Sequence, residues 1–279
     1  MAATAVCISC QKAVVDDAVA DELTEDGSRS RTVTFRIGGG FESATRAVPV
    51  GDSDMTDLWI VDYEGSEEKS LTRQQSGQSG FGSVTMRLPY GRHTICFVAS
   101  RGTGAEDDGD GTLVWAVPGD TFWKAISLDV SAGTSGTVDV TLRRVATCLN
   151  VVVDDVLPAG MTRLAVTPAQ WYYGIRYLTG EPCHAESGRE RSVSIPSSYI
   201  GTSGVSASFY GLSDIMEWHT DFTVTAYGGD DAVIGQAAVS DAPFLCNRVT
   251  RYTGRLFSLG ADFNVSLEDG WDERYDGTW

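Results

Sequence analysis

The chain has 279 residues, 42% of them apolar, which suffices for one large domain or two of ordinary size with a proper core. Lys and Arg total 21 against 38 Asp and Glu, so a net charge of −17 argues against any role on phosphate backbones and hence against nucleic-acid binding. No run approaches the roughly 18–20 apolar residues of a membrane-spanning helix, so membrane attachment has to come from another device.

Such a device is legible at the start of the chain. Cys10 stands in Val6-Cys7-Ile8-Ser9-Cys10-Gln11-Lys12, behind the small apolar run Met1-Ala2-Ala3-Thr4-Ala5. This pattern of apolar core, small residue and cysteine matches the end of a bacterial lipoprotein signal. Cys7 is the poorer acceptor, because Val6 before it is bulkier than Ser9 before Cys10. No Lys or Arg precedes Cys10, and the apolar run is shorter than the 7–15 residues or so of a full signal. Residues 1–10 are therefore read as the remnant of a signal, with Cys10 acylated and the rest of the chain exported. Residues 11–30 carry Asp16, Asp17, Asp21, Glu22, Glu25 and Asp26 without sustained apolar periodicity and read as an acidic spacer.

From residue 31 onward the dominant pattern is alternation with a period of two. It appears in Val33/Phe35/Ile37, Val84/Met86/Leu88, Val138/Val140/Leu142, Leu149/Val151/Val153, Phe222/Val224/Ala226 and Phe263/Val265/Leu267. Successive side chains of a strand point to opposite faces, so each set predicts one buried face. Gly, Ser, Asp and Pro clusters separate these runs, and the 31 glycines suit tight turns between many short strands. No window holds helical periodicity for three turns; the stretch 213–222 comes nearest. The prediction is an all-β protein. A break near Arg143-Arg144 divides it into halves of 31–143 and 144–279, each the size of one β-sandwich.

Motifs for chemistry are sparse. The three histidines, His93, His184 and His219, are scattered and lack any metal-binding spacing. There is no phosphate-binding loop, and Gly133-Thr134-Ser135-Gly136-Thr137 fails at its last position as a nucleophile elbow. Carboxylates are too numerous for any pair to stand out as a glycosidase pair. The loop Glu106-Asp107-Asp108-Gly109-Asp110-Gly111 resembles the start of a calcium loop, but Val117 stands where the closing Glu belongs, so a hairpin turn is expected. Trp171-Tyr172-Tyr173 has the composition of a sugar-stacking patch, yet aromatics at this spacing more often pack a core. Cys96 and Cys148 read as small buried strand residues, whereas Cys183 and Cys246 lie in turn-rich segments that an exported protein can bridge. The expectation is a non-enzymatic chain with no catalytic residues, cofactor or metal.

Several segments, taken in order, resemble the fimbrillin superfamily of Bacteroidetes, in particular its FimB/Mfa2-type fimbrial anchor lipoproteins. They are Ser9-Cys10-Gln11-Lys12; Thr45-Arg46-Ala47; Met55 to Tyr63; Leu88-Pro89-Tyr90-Gly91-Arg92-His93-Thr94-Ile95; and, most specifically, Asn247 to Phe257. The resemblance implies two tandem transthyretin-like, Greek-key β-sandwiches on the outer membrane, held by a lipid on Cys10 and assembling with fimbrial subunits. In polymerising members a strand of one subunit joins the sheet of the next, an example of β-augmentation. Arg46 would then be a position for Arg-specific processing, with an ordinary loop arginine as the favoured alternative. The segment from Glu268 to Trp279 is acidic and holds two glycines, a poor donor strand, which points to an anchor or accessory subunit that receives a partner. The competing expectation is a surface protein of similar build that binds carbohydrate or a host ligand; it requires Trp171, Tyr172 and Tyr173 to lie together on the surface.

Overall fold

A computed structural model of the chain describes residues 22–23, 29–38, 55–258 and 263–269. In chain order the first half supplies β1 (Glu22–Leu23), β2 (Arg29–Ile37), β3 (Asp57–Glu64), β4 (Glu67–Gln75), β5 (Ser83–Pro89), β6 (Gly91–Ser100), β7 (Thr103–Asp107), β8 (Thr112–Val117), β9 (Thr121–Val130), β10 (Thr137–Val140) and β11 (Arg143–Arg144). The second half supplies β12 (Ala146–Val153), β13 (Arg163–Pro168), β14 (Trp171–Arg176), β15 (Pro182–Glu186), β16 (Arg191–Ser194), β17 (Val205–Leu212), β18 (Trp218–Tyr227), β19 (Val233–Phe244), β20 (Arg248–Gly254) and β21 (Phe263–Asp269). Among the described residues the helical pieces are two single 3₁₀ turns, Ser197–Tyr199 and Gly229–Asp231. The fold is all-β, as the alternation predicts. β1 falls inside the acidic stretch 11–30, where Leu23 and Glu22 pair with Arg29 and Ser30.

In the first sandwich β2 lies between β5, antiparallel, and β10, parallel. Val33, Phe35 and Ile37 point inward from β2, joined by Val84, Met86 and Leu88 from β5. Opposite them stands the sheet ordered β11-β9-β6-β3-β4, which contributes Leu58, Ile60, Ile95 and Phe97. The rings of Phe35 and Phe97 meet across the layers at 5.5 Å.

The other face of that five-stranded sheet is covered as well. Trp59, Val61, Tyr63, Cys96 and Val98 pack on Leu113, Trp115, Ile175 and Tyr177 of a third layer, ordered β15-β14-β8-β7. Strands covered on both faces lose their alternation, which is why β3 and β6 read as continuous apolar runs. The third layer joins the two halves of the chain: Ile175 and Gly174 of β14 pair with Leu113 and Val114 of β8. Gly174 is required there, since a Cβ would stand 3.0 Å from both the Leu113 carbonyl and Cys183 Sγ.

The second sandwich sets β17-β12-β20-β21 against β16-β13-β18-β19. Its core takes Leu149, Val151 and Val153 from β12, and Phe222, Val224 and Ala226 from β18. Trp171 and Tyr173 close one end of this core, with Phe244 edge-on to Trp171 at 5.0 Å. Just before β12, Arg144 is buried. Its Nε donates to Asp120 Oδ1 at 2.8 Å, its Nη2 to Asp120 Oδ2 at 3.0 Å and its Nη1 to Asn247 Oδ1 at 3.1 Å. Asn247 adopts φ +57°, a left-handed conformation that Asn tolerates better than most residues; its backbone N–H donates to the Ala146 carbonyl at 2.8 Å while its side-chain Oδ1 accepts from Arg144.

Candidate functional site

One alternating set departs from its expected burial. Phe263, Val265 and Leu267 share a face of β21, as their spacing predicts, but Val265 is 51% and Leu267 46% exposed. The register explains which face this is. Val265 stands opposite Tyr252, and Leu267 opposite Thr250, on β20. Residues directly opposite on antiparallel strands project to the same side of the sheet. Tyr252 is in the core, edge-on to Phe222 at 5.2 Å. Val265 and Leu267 therefore continue the inner, apolar face of their sheet, and the facing sheet ends before it covers them.

The strand at that margin is β19. It pairs with β18 on one side, and among the described residues no strand pairs with the other side. Its inward residues Ala237, Val239, Ala242 and Phe244 belong to the core, while Val233 and Ile234 at its start are exposed. The loop leaving β20 is fastened beside it: Asp155 accepts the amides of Leu256 and Phe257, the latter at 2.8 Å, and the Ser258 hydroxyl. Burial works to raise the Asp155 carboxyl, and these hydrogen bonds outweigh it and hold it low. Gly235 fits closely against this loop, since a Cβ there would lie 2.9 Å from the Leu256 carbonyl. The result is an open backbone ladder beside an apolar row, the two requirements for accepting an extended strand.

The residues singled out in the sequence fall elsewhere. Cys7, Cys10 and Arg46 lie outside the described residues. The segment 106–111 spans the end of β7 and the turn into β8, as expected for a hairpin, and no cluster of metal-ligating side chains occurs among the described residues. Asp108 there accepts hydrogen bonds from Thr112 Oγ1, the Asp110 amide at 2.9 Å and His184 Nε2 at 3.1 Å. His93 is buried, with Nδ1 2.9 Å from Asp62 and Nε2 2.9 Å from the Pro89 carbonyl. His219 is exposed between Glu217 and Asp241. Cys183 and Cys246 are both free, so the bridge that export would permit is not formed. Trp171 and Tyr173 are buried and Tyr172 packs edge-on to Trp218 at 5.3 Å, so the three aromatics do not make an exposed platform. Sequence reasoning missed both the buried Arg144–Asp120 pair and the open margin. Only the acidity of the tail after β21 hinted at the latter.

A scan of protein-family models finds no match, and no curated protein matches the chain. Solved structures do. A Bacteroides ovatus protein described as a candidate adhesin superposes with a TM-score of 0.52 at 8% identity, over 84% of this chain and 95% of its own. A candidate cell adhesion protein of Bacteroides uniformis matches with a TM-score of 0.50 at 13% identity, over 86% and 99%. A candidate polysaccharide-binding protein of Bacteroides thetaiotaomicron matches with a TM-score of 0.50 at 8% identity, over 87% and 99%. At such identities the likeness establishes a shared fold over nearly the whole of each relative.

Proposed function

We propose that this chain is a non-enzymatic cell-surface protein of the fimbrial type, an anchor or accessory subunit that receives an extended strand from a partner subunit. The observation that carries the reading is the half-exposed row of Val265 and Leu267 together with an edge of β19 that pairs with no strand among the described residues. In the first sandwich, among the described residues, β2 is seated between β5 and β10 with Val33, Phe35 and Ile37 buried. Support also comes from the fold shared with proteins described as adhesins, and from the ordered segments that resemble FimB/Mfa2-type anchors. In this reading Cys10 carries the lipid, the acidic stretch spaces the sandwiches from the outer membrane, and the partner is a fimbrillin.

The test is metabolic labelling with a palmitate analogue in the native host, comparing wild type with Cys10→Ala, followed by isolation of the chain with its bound proteins. Label lost in the variant, with fimbrial subunits recovered alongside the wild type, is the expected result. Unchanged labelling and fractionation in the variant, or a wild-type chain recovered alone, would overturn the reading.

A further inference from the structure

The open edge of β19 is regular over only part of its length. Its pairing with β18 runs unbroken through five pairs, from Phe222 opposite Val239 to Ala226 opposite Gly235, with a register shift at each end. At the first shift Ser240 and Asp241 of β19 stand against Asp221 alone. Asp241 adopts φ +55°; its N–H donates to Asp221 Oδ1 at 2.8 Å, and its carbonyl lies 3.2 Å from His219 Nδ1. Such a bulge bends the strand and interrupts its ladder.

The neighbouring strand shows which backbone groups face the open side. The Asp221 carbonyl accepts the Ala169 amide just after β13, so Asp221 turns toward β13. Successive residues of a central strand bond to opposite neighbours, so Phe222, Val224 and Ala226 turn toward Val239, Ala237 and Gly235. The N–H and C=O groups of Gln236 and Ala238 are then left facing outward. Past the bulge the pairing of Thr220 with Ala242 and of Trp218 with Phe244 leaves Pro243 in the outward set. Proline has no N–H to offer, and its carbonyl already accepts Thr250 Oγ1 at 2.6 Å. At the opposite end the inner side is filled, since a Cβ on Gly235 would stand 2.9 Å from both the Leu256 carbonyl and the Phe257 ring.

We infer that this edge accepts a short segment of about five residues, bonded through Gln236 and Ala238 and carrying two large apolar side chains at alternate positions. The inference rests on the reading of β19 as the receiving edge. Residues opposite one another share a sheet face, so the two residues beside Ala237 and Val239 point inward. Alanine and valine are small, which leaves room at the margin for larger side chains over Val265 and Leu267. A longer donor gains nothing, because the ladder stops at Asp241 and Pro243 offers no donor beyond it.

The test is single-residue hydrogen–deuterium exchange on the full chain, with and without fimbrial subunits purified from the native host, together with capture of those subunits by Ala238→Pro and Pro243→Ala. Slower exchange at Gln236 and Ala238 on binding is expected. Capture should fall roughly tenfold in Ala238→Pro, which loses an edge bond, and change less than about twofold in Pro243→Ala. Proline is tolerated at an edge position whose N–H faces outward, and the wild-type exchange pattern decides the matter even where that variant folds poorly. Stronger capture by Pro243→Ala, with its new amide protected in the complex, would overturn the short segment and leave β19 as the edge. A complex in which Gln236 and Ala238 exchange as in the free chain would overturn both.

Discussion

Tyr252 and Val265 stand directly opposite each other on adjacent strands, yet Tyr252 is 5% exposed and Val265 51%. They share a sheet face, so the difference lies in what faces them. Tyr252 meets Phe222 of the opposing sheet, while Val265 stands one strand further out, on β21 at the edge of its own sheet among the described residues. An extended segment laid along β19 would cover Val265 and Leu267 and complete the second sandwich. Apolar side chains at alternate positions are what such a segment requires.

Replacing Val265 and Leu267 together by Lys should separate folding from association. Both side chains are already half in water, so the loss of stability should stay within about 1–2 kcal/mol by urea denaturation. Recovery of bound subunits from the native host should fall by roughly tenfold or more, because a strand laid there would bury two charges.

The Arg144–Asp120 pair makes a different prediction. Both groups are buried and joined by two hydrogen bonds, so removing Asp120 takes the paired carboxylate from a buried guanidinium that keeps its bond to Asn247. Asp120→Ala should cost about 3–5 kcal/mol, whereas an apolar replacement of both, Asp120→Leu with Arg144→Met, should cost markedly less. Denaturant midpoints of the two variants give the comparison; equal losses would show that the charge pair itself is not what matters.

Asp108 governs an acid-side response. Burial tends to raise this carboxyl, but hydrogen bonds from Thr112, the Asp110 amide and His184 outweigh it and hold it low. A carboxyl depressed in the folded state adds stability above its unfolded value of about 3.9, and loses it as pH falls through the folded value. The stability gap between wild type and Asp108→Asn should therefore narrow in acid below about pH 4. Thermal melts across that range measure it.

Thiol chemistry tests the unbridged cysteines. Burial pushes the Cys96 thiol up to about 12 and the Cys183 thiol up to about 11, so neither should react with a thiol reagent in the folded protein at neutral pH. After denaturation without reductant, mass spectrometry should find Cys96, Cys148, Cys183 and Cys246 all labelled. A peptide joining Cys183 to Cys246 would contradict this.

The sequence makes the strands legible wherever one face is wet. Val33/Phe35/Ile37 alternate because Thr34 and Arg36 between them face outward, and Leu149/Val151/Val153 form the core face of β12 although Asn150 between them is itself buried against Ser208 and Arg251; all six are buried as predicted. β3 and β6 escape the pattern because sheets cover both their faces, and no local spacing reports that Gly174 and Val114 pair across the halves. Phe263/Val265/Leu267 has the same period but ends at an uncovered margin. Period two specifies which side chains share a face and is silent on whether anything lies opposite.

The central claim is most directly tested by hydrogen–deuterium exchange on the chain alone and in complex with fimbrial subunits purified from the native host. The account predicts slower exchange on binding at residues 236–241 of β19 and 263–267 of β21, the edge and the row that an incoming strand would cover. A complex that forms while those amides exchange as they do in the free chain, with protection confined to other strands, would contradict it.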